Sequence, residues 1–246
     1  MRIDILTLFP EMLESVLGAS IIGRARQNGI LDVNCVQIRD FAFNKHRQVD
    51  DYPYGGGQGM VMQAEPIYQA YMSVCGGAAV KPRTIYMSPQ GRTFRQSTAR
   101  RLAKEERLVI LCGHYEGVDQ RILDEIVDEE ISLGDFVMTG GEIAAMAVVD
   151  ATARMLPGVL ADENAFSDES HFSGLLEYPQ YTRPSEWHGR GVPEVLQCGN
   201  HKLIEQWKRR AAIETTFRKR RGMLSRAKLT AEEKKFADEL KNETKN

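Results

Sequence analysis

Two stretches of this sequence carry an apolar run into a glycine-bearing loop: Leu108-Val-Ile-Leu-Cys-Gly-His-Tyr-Glu-Gly117 and Ile131-Ser-Leu-Gly-Asp-Phe-Val-Met-Thr-Gly-Gly-Glu142. An apolar run that stops at glycine reads as a buried strand whose backbone then turns tightly. Two such turns could offer bare N–H and C=O groups to one small ligand, recognising a nucleoside through the main chain. They read equally well as ordinary strand-to-helix turns, and spacing alone does not separate the two. A third loop, Ser88-Pro-Gln-Gly91, also follows an apolar run. Ligands of α/β sheets bind beyond the carboxyl ends of the strands, so all three loops are candidates.

Few charged groups accompany them. Arg154 falls on the apolar helical stretch from Gly141 to Met155, and an arginine there is rarely buried without a partner. Glu116 is a carboxylate that could pair with it, in a site or in a purely structural clamp. Asp168 and Glu169 lie in a polar stretch where carboxylates are ordinarily just solvated. Other chemistries lack their patterns. Asp50-Asp-Tyr-Pro-Tyr-Gly-Gly-Gly-Gln-Gly59 is too glycine-rich for a helix or stable strand and lacks the Lys-Ser/Thr ending of a P-loop. No Gly-x-Gly-x-x-Gly, Gly-x-Ser-x-Gly or His-x-x-x-His occurs, which argues against a dinucleotide site, a nucleophile elbow and a helical metal site.

The elements that must position these loops follow from periodicity. Strands are predicted at Ile3 to Phe9, Leu31 to Ile38, Thr84 to Ser88, Leu108 to Cys112 and Ile126 to Ser132. Helices are predicted at Glu11 to Leu17 behind Pro10, Glu65 to Cys75, Gln96 to Lys104, Gly117 to Asp124 and Gly141 to Met155. Strands alternating with helices imply an α/β layer on a largely parallel sheet. After Leu160 the texture becomes polar and small, then helical from Asn200 to Arg218 and from Thr230 to Lys241. Thr230 with Glu233 makes a capping box for the last helix. The expected division is an α/β domain over 1–160, a flexible linker over 161–173 and a small all-α domain over 174–246.

The chain has 246 residues, with 32 Lys and Arg against 34 Asp and Glu, a balance that by itself implies no partner. The distribution is uneven. From His201 to Lys228, ten basic residues face only Glu205 and Glu214, which suggests a segment that faces nucleic acid or a solvated charged helix. Cys35, Cys75, Cys112 and Cys198 are scattered, fitting neither a zinc site nor a disulfide framework. The first residues read as a strand, not a signal peptide, and no run approaches a membrane span. A cytoplasmic protein is expected.

Longer motifs add a resemblance. Tyr52-Pro-Tyr-Gly-Gly-Gly-Gln-Gly-Met60, Ser88-Pro-Gln-Gly91, Cys112-Gly-His-Tyr-Glu-Gly-Val-Asp-Gln-Arg121, Ser132-Leu-Gly-Asp-Phe-Val-Met-Thr-Gly-Gly-Glu142 and Leu176-Glu-Tyr-Pro-Gln-Tyr-Thr-Arg-Pro184 resemble, in order, the bacterial tRNA (guanine-N1)-methyltransferases. The resemblance implies a deep trefoil knot in the α/β domain, which the periodicity does not reveal. It implies a homodimer that binds S-adenosylmethionine in the knot and methylates N1 of guanine 37 in tRNA, where guanine 36 must precede it. Cofactor contacts would fall on Tyr86, Ser88, Gly113, Tyr115, Glu116, Leu133, Gly134, Asp135, Phe136, Val137, Met138, Gly140 and Gly141. Arg154 would stabilise charge on guanine O6. Magnesium is suggested, without a ligand set to assign. The family's general base is an aspartate directly before a serine, whereas this chain reads Asp168-Glu169-Ser170-His171-Phe172. Counting back from Gly174 without gaps puts Glu169 at the base position, with Asp168 as the alternative.

Overall fold

The computed structural model describes residues 1–77, 79–161 and 169–243. They fall into two compact units, Met1–Ala161 and Asp162–Asn246.

In the first unit, β1 (Arg2–Thr7) leads through Pro10 into α1 (Pro10–Leu17), then α2 (Ser20–Gln27) and β2 (Asp32–Gln37). Two short strands, β3 (Asp50–Asp51) and β4 (Val61–Met62), bracket the glycine-rich loop. There follow α3 (Ala64–Cys75), β5 (Arg83–Thr93), α4 (Gln96–Leu102), β6 (Arg107–Cys112), α5 (Gln120–Ile126), β7 (Glu129–Ser132) and α6 (Glu142–Ala153). The five long strands form one sheet, β2-β1-β6-β5-β7, with every neighbouring pair parallel. Alternation along the strands sorts the core onto two faces. Ile3, Ile5, Leu108 and Ile110 pack with Leu13, Ala145 and Val149 on one side. Val109 and Leu111 pack with Ile67, Ala70 and Ile122 on the other.

Three features depart from expectation. Helix α2 was not predicted: Gly23 sits inside it, where a Cβ would overlap the carbonyl of Gly18, so close packing of two helical turns outweighs glycine's low helix propensity. Strand β5 runs past Ser88 to Thr93. Met87 and Arg92 both pair with Ile131 of β7, so the register shifts between them. Within that shift a Cβ on Gly91 would stand 2.5 Å from the Ile131 nitrogen.

The third departure is in the second unit, which is not wholly helical. A small hairpin, β8 (Glu186–Trp187) with β9 (Arg190–Gly191), precedes α7 (His201–Arg220) and α8 (Ala231–Glu243). Its core joins Leu175, Ile213, Phe217, Leu224 and Ala237. The capping box is present: Glu233 N–H donates to Thr230 Oγ1 at 3.2 Å and Thr230 N–H to Glu233 Oε2 at 2.8 Å.

At the amino end of the sheet, Asp4 is wholly buried. Arg2, Arg107 and Asn34 all donate to its carboxylate, at 2.8 to 3.3 Å. Burial pushes the Asp4 pKa up, but those hydrogen bonds outweigh it and leave the pKa below the ordinary 3.8. The bonded carboxylate therefore stabilises the fold fully above that ordinary value, and the contribution is lost as pH falls through the depressed one. Asp4→Ala should cost about 3 kcal/mol of unfolding free energy at pH 7, the low end for a broken buried pair because both arginines can regain water. Urea titrations across pH check it: the gap between parent and variant should shrink below about pH 4, and a constant gap would refute the assignment.

Candidate active site

The carboxyl ends of β5, β6 and β7 open into a cleft of about 300 Å³. Its walls come from three loops that the main chain itself ties together. Gly141 N–H donates to the Gly113 carbonyl at 3.0 Å, and His114 and Gly140 form an antiparallel bridge. Phe94 N–H donates to the Ser132 carbonyl at 2.7 Å. On the outer side, Glu116 N–H donates to Met60 O and Met62 N–H to Gly117 O, both at 2.9 Å, which joins β4 to the second loop.

Glycine is required where these loops touch. A Cβ on Gly141 would lie 2.8 Å from the Cα of Cys112, and one on Gly113 would lie 2.7 Å from Tyr86 Oη. Tyr115 holds a φ of +59°, sparsely populated for a non-glycine residue, and its hydroxyl accepts from Arg39 Nη2 at 3.1 Å. Burial, with Glu130 and Cys112 nearby, pushes the Tyr86 phenol up to about 12, so Tyr86 presents a neutral hydroxyl at neutral pH. Burial, reinforced by Glu142, raises the Cys112 thiol well above its usual range. That thiol is a packing group and not a nucleophile.

Most of the residues singled out in the sequence meet in this cleft. Tyr86, Ser88, Gly113, Tyr115, Glu116, Leu133, Phe136, Val137, Met138, Gly140 and Gly141 line it. Gly134 and Asp135 do not form part of its wall. Ser132 bonds Gly134 through both its N–H and its carbonyl, turning that part of the loop on itself. Pro89, Gln90 and His114, which lie in the candidate loops, line the cleft as well, and so do Gln120 and Glu130, which sequence reasoning left outside it. Glu130 had a signal, since a charge inside an apolar strand asks for a polar neighbour.

Arg154 does not join the cleft. It caps the far end of α6, and a helix of that length spans ~18 Å from its start at the cleft floor. Among the described residues no ion pair joins it to Glu116, whose side chain instead fills the space beside Gly59. Glu169 belongs to the second unit, in a turn where its carbonyl accepts from Phe172 N–H at 3.2 Å and Ser170 Oγ accepts from Glu177 N–H at 3.0 Å. Asp168 lies outside the described residues. Among the described residues no group of three or more His, Cys, Asp or Glu side chains is placed to hold a metal ion. No helix among them is long and apolar enough to cross a membrane.

Residues 1–226 match the protein family described as tRNA (Guanine-1)-methyltransferase TrmD. The chain belongs to this family. A tRNA (guanine-N(1)-)-methyltransferase of Ruminiclostridium cellulolyticum is 55% identical over 220 residues, covering 89% of this chain and 94% of the relative. One of Alkaliphilus oremlandii is 52% identical over 98% and 99% of the two chains. One of Staphylococcus haemolyticus is 49% identical over the full length of both. A methyltransferase family implies S-adenosylmethionine as methyl donor. A cleft of this size at the lower end of small-ligand sites, walled by backbone where a Cβ would not fit, suits an adenosine-bearing ligand. Gly113→Ala and Gly141→Ala should each weaken S-adenosylmethionine at least ~10-fold in a calorimetric titration, the scale of crowding by one methyl group. Unchanged affinity in both would remove the ligand from these loops.

Proposed function

We propose that this chain transfers a methyl group from S-adenosylmethionine to N1 of guanine 37 in tRNA, beside the anticodon, in the cytoplasm. The observation that carries this reading is the family match along nearly the whole chain, joined to a main-chain-lined cleft at the strand ends. In this reading the α/β unit carries a trefoil knot, and the adenosine lies against Tyr86, Ser88, Gly113 and Leu133 to Met138.

The bound donor supplies an electrophilic methyl carbon on a sulfonium. The protein's task is to make N1 nucleophilic. Guanine N1 holds its proton about five pKa units more tightly than an ordinary glutamate, a mismatch worth roughly 7 kcal/mol. A carboxylate can take that proton only if the charge that develops on O6 is stabilised. Glu169 is assigned as the base, with Asp168 as the alternative, and the fixed donors of Arg154 are assigned to O6. Positioning N1 in line with the methyl group contributes further.

Because Arg154 sits the length of α6 from the cleft in its own subunit, its guanidinium would serve the cleft of a second copy. A homodimer with composite sites follows. Exposed Met12 and Val16, one turn apart on α1, and exposed Ile143 on α6 support such a partner surface, since α1 and α6 pack together. Glu116 and Glu130 are the acidic side chains on the cleft wall able to attract magnesium, a hard cation that prefers oxygen.

The second unit would hold tRNA phosphates. On α7, Lys202, Lys219 and Arg220 are exposed, and none of them is ion-paired among the described residues. Tyr178 and Tyr181 meet the Trp207 ring edge-on and tilted, beside Lys208, whose Nζ is 5.3 Å from the Tyr178 ring centroid. The guanine is extruded from the loop to reach the site.

Glu169→Ala should lower the single-turnover methylation rate ~10²–10³-fold and leave cofactor affinity intact, and Arg154→Ala should do the same. If Asp168→Ala abolishes transfer while Glu169→Ala does not, the base is Asp168. Labelled methyl incorporation into transcripts with and without the adjacent guanines tests the substrate. Incorporation that ignores guanine 37 overturns the proposed function. Affinity for tRNA should fall linearly on a log–log plot as salt rises.

A further inference from the structure

Beneath the cleft lies a closed polar circuit that the methyl-transfer mechanism does not use. Glu142, the first residue of α6, is 1% exposed, and Thr7, the last of β1, is fully buried. Phe9 N–H donates to Thr7 Oγ1 at 3.0 Å, and Thr7 Oγ1 donates to Glu142 Oε1 at 2.6 Å. The other carboxylate oxygen, Oε2, is 2.7 Å from His114 Nε2. The His114 ring then packs against Phe9, centroids 4.9 Å apart, which closes the circuit. A buried carboxylate is tolerated only when its oxygens are satisfied, and here each oxygen ties down a different element.

His114 belongs to the loop after β6 and Glu142 directly follows the loop after β7, so the circuit joins the two loops that carry the cleft. Their contact is close. A Cβ on Gly140 would overlap His114 Nε2 and stand 2.6 Å from Glu142 Oε2. The His114–Gly140 bridge and the bond from Gly141 to Gly113 lie directly above.

We propose that Thr7, Glu142 and His114 are positioning residues: their hydrogen bonds hold the loops 113–117 and 133–141 at the spacing that admits the methyl donor. The assignment rests on the cofactor reading given above. It separates these residues from general core packing, because the Glu142 carboxylate, at the end of the second loop, reaches the first loop through the imidazole. The loops should therefore loosen when the bond is cut while the strands beneath them stay closed.

Hydrogen exchange on the cofactor-free protein reads this directly, compared among the parent, His114→Ala, His114→Gln and Thr7→Val. Segment 133–141 should exchange about tenfold faster in His114→Ala, while β1 and β6 keep the parent's rates. Thr7→Val should give a smaller change in the same segment. His114→Gln, which restores an N–H donor, should recover most of the protection. In turnover, His114→Ala should raise the KM for S-adenosylmethionine about tenfold and leave the KM for tRNA as it is. Unchanged exchange in segment 133–141 overturns the proposal. So does equal acceleration in β1 and β6, which would make the circuit ordinary core stabilisation. A parent protein that shows the exchange pattern but transfers no methyl group would refute the proposed function and leave the circuit standing.

Discussion

Met87 and Arg92 of β5 share one partner, Ile131 of β7, so the chain between them slips its register while packed directly against β7. Only glycine fits at position 91, where a methyl group would strike the Ile131 nitrogen. The consequence spreads outward. Residues 88–90 of β5 line the cleft, the loop after β7 is bonded to the loop after β6 through Gly141 and Gly113, and α6 starts at the residue after Gly141. A cleft lined by main chain follows from close contacts at 91, 113 and 141 that a side chain would block.

Electrostatics follow the same geometry. The sheet ends differently at its two edges. At the amino end, Asp4 is held by two arginines and an asparagine and stays ionised. At the carboxyl end, Glu142 is equally buried but faces a threonine hydroxyl and an imidazole. The first arrangement locks strand ends together with full charges. The second leaves the cleft above it lined by peptide groups, a neutral phenol at Tyr86 and two carboxylates, Glu116 and Glu130, an acidic balance that suits a cationic donor.

The parallel sheet was legible because its central strand is apolar on both faces, and the run Leu108 to Cys112 can be read without knowing its neighbours. The end of β5 was not, because Pro89 and Gly91 punctuate the sequence as a turn. Pairing with Ile131, forty residues away, keeps that segment extended, and local signals cannot report it. Hairpin β8–β9 escaped notice because two-residue strands carry no period. In the cleft, the glycine loops stood out because backbone approach demands glycine. Thr7, Glu142 and His114 did not, since their meeting joins residues 135 positions apart, and nothing in a threonine at the end of a strand announces a buried carboxylate. Gly134 and Asp135 entered the expected cofactor contacts by their place in a motif, and the bonds from Ser132 to Gly134 shape the turn that carries them.

The glycines of the cleft bear on how the protein could escape a competitive inhibitor. A compound built to pack against the main chain at 113, 140 and 141 meets atoms that every amino acid shares, so exchanging a side chain does not remove its contacts. Single-codon changes at those positions push a new carbon into Tyr86, His114 or Cys112 before they touch the drug. Resistance by point substitution would have to come from the rim, where Phe136 and Val137 stand exposed.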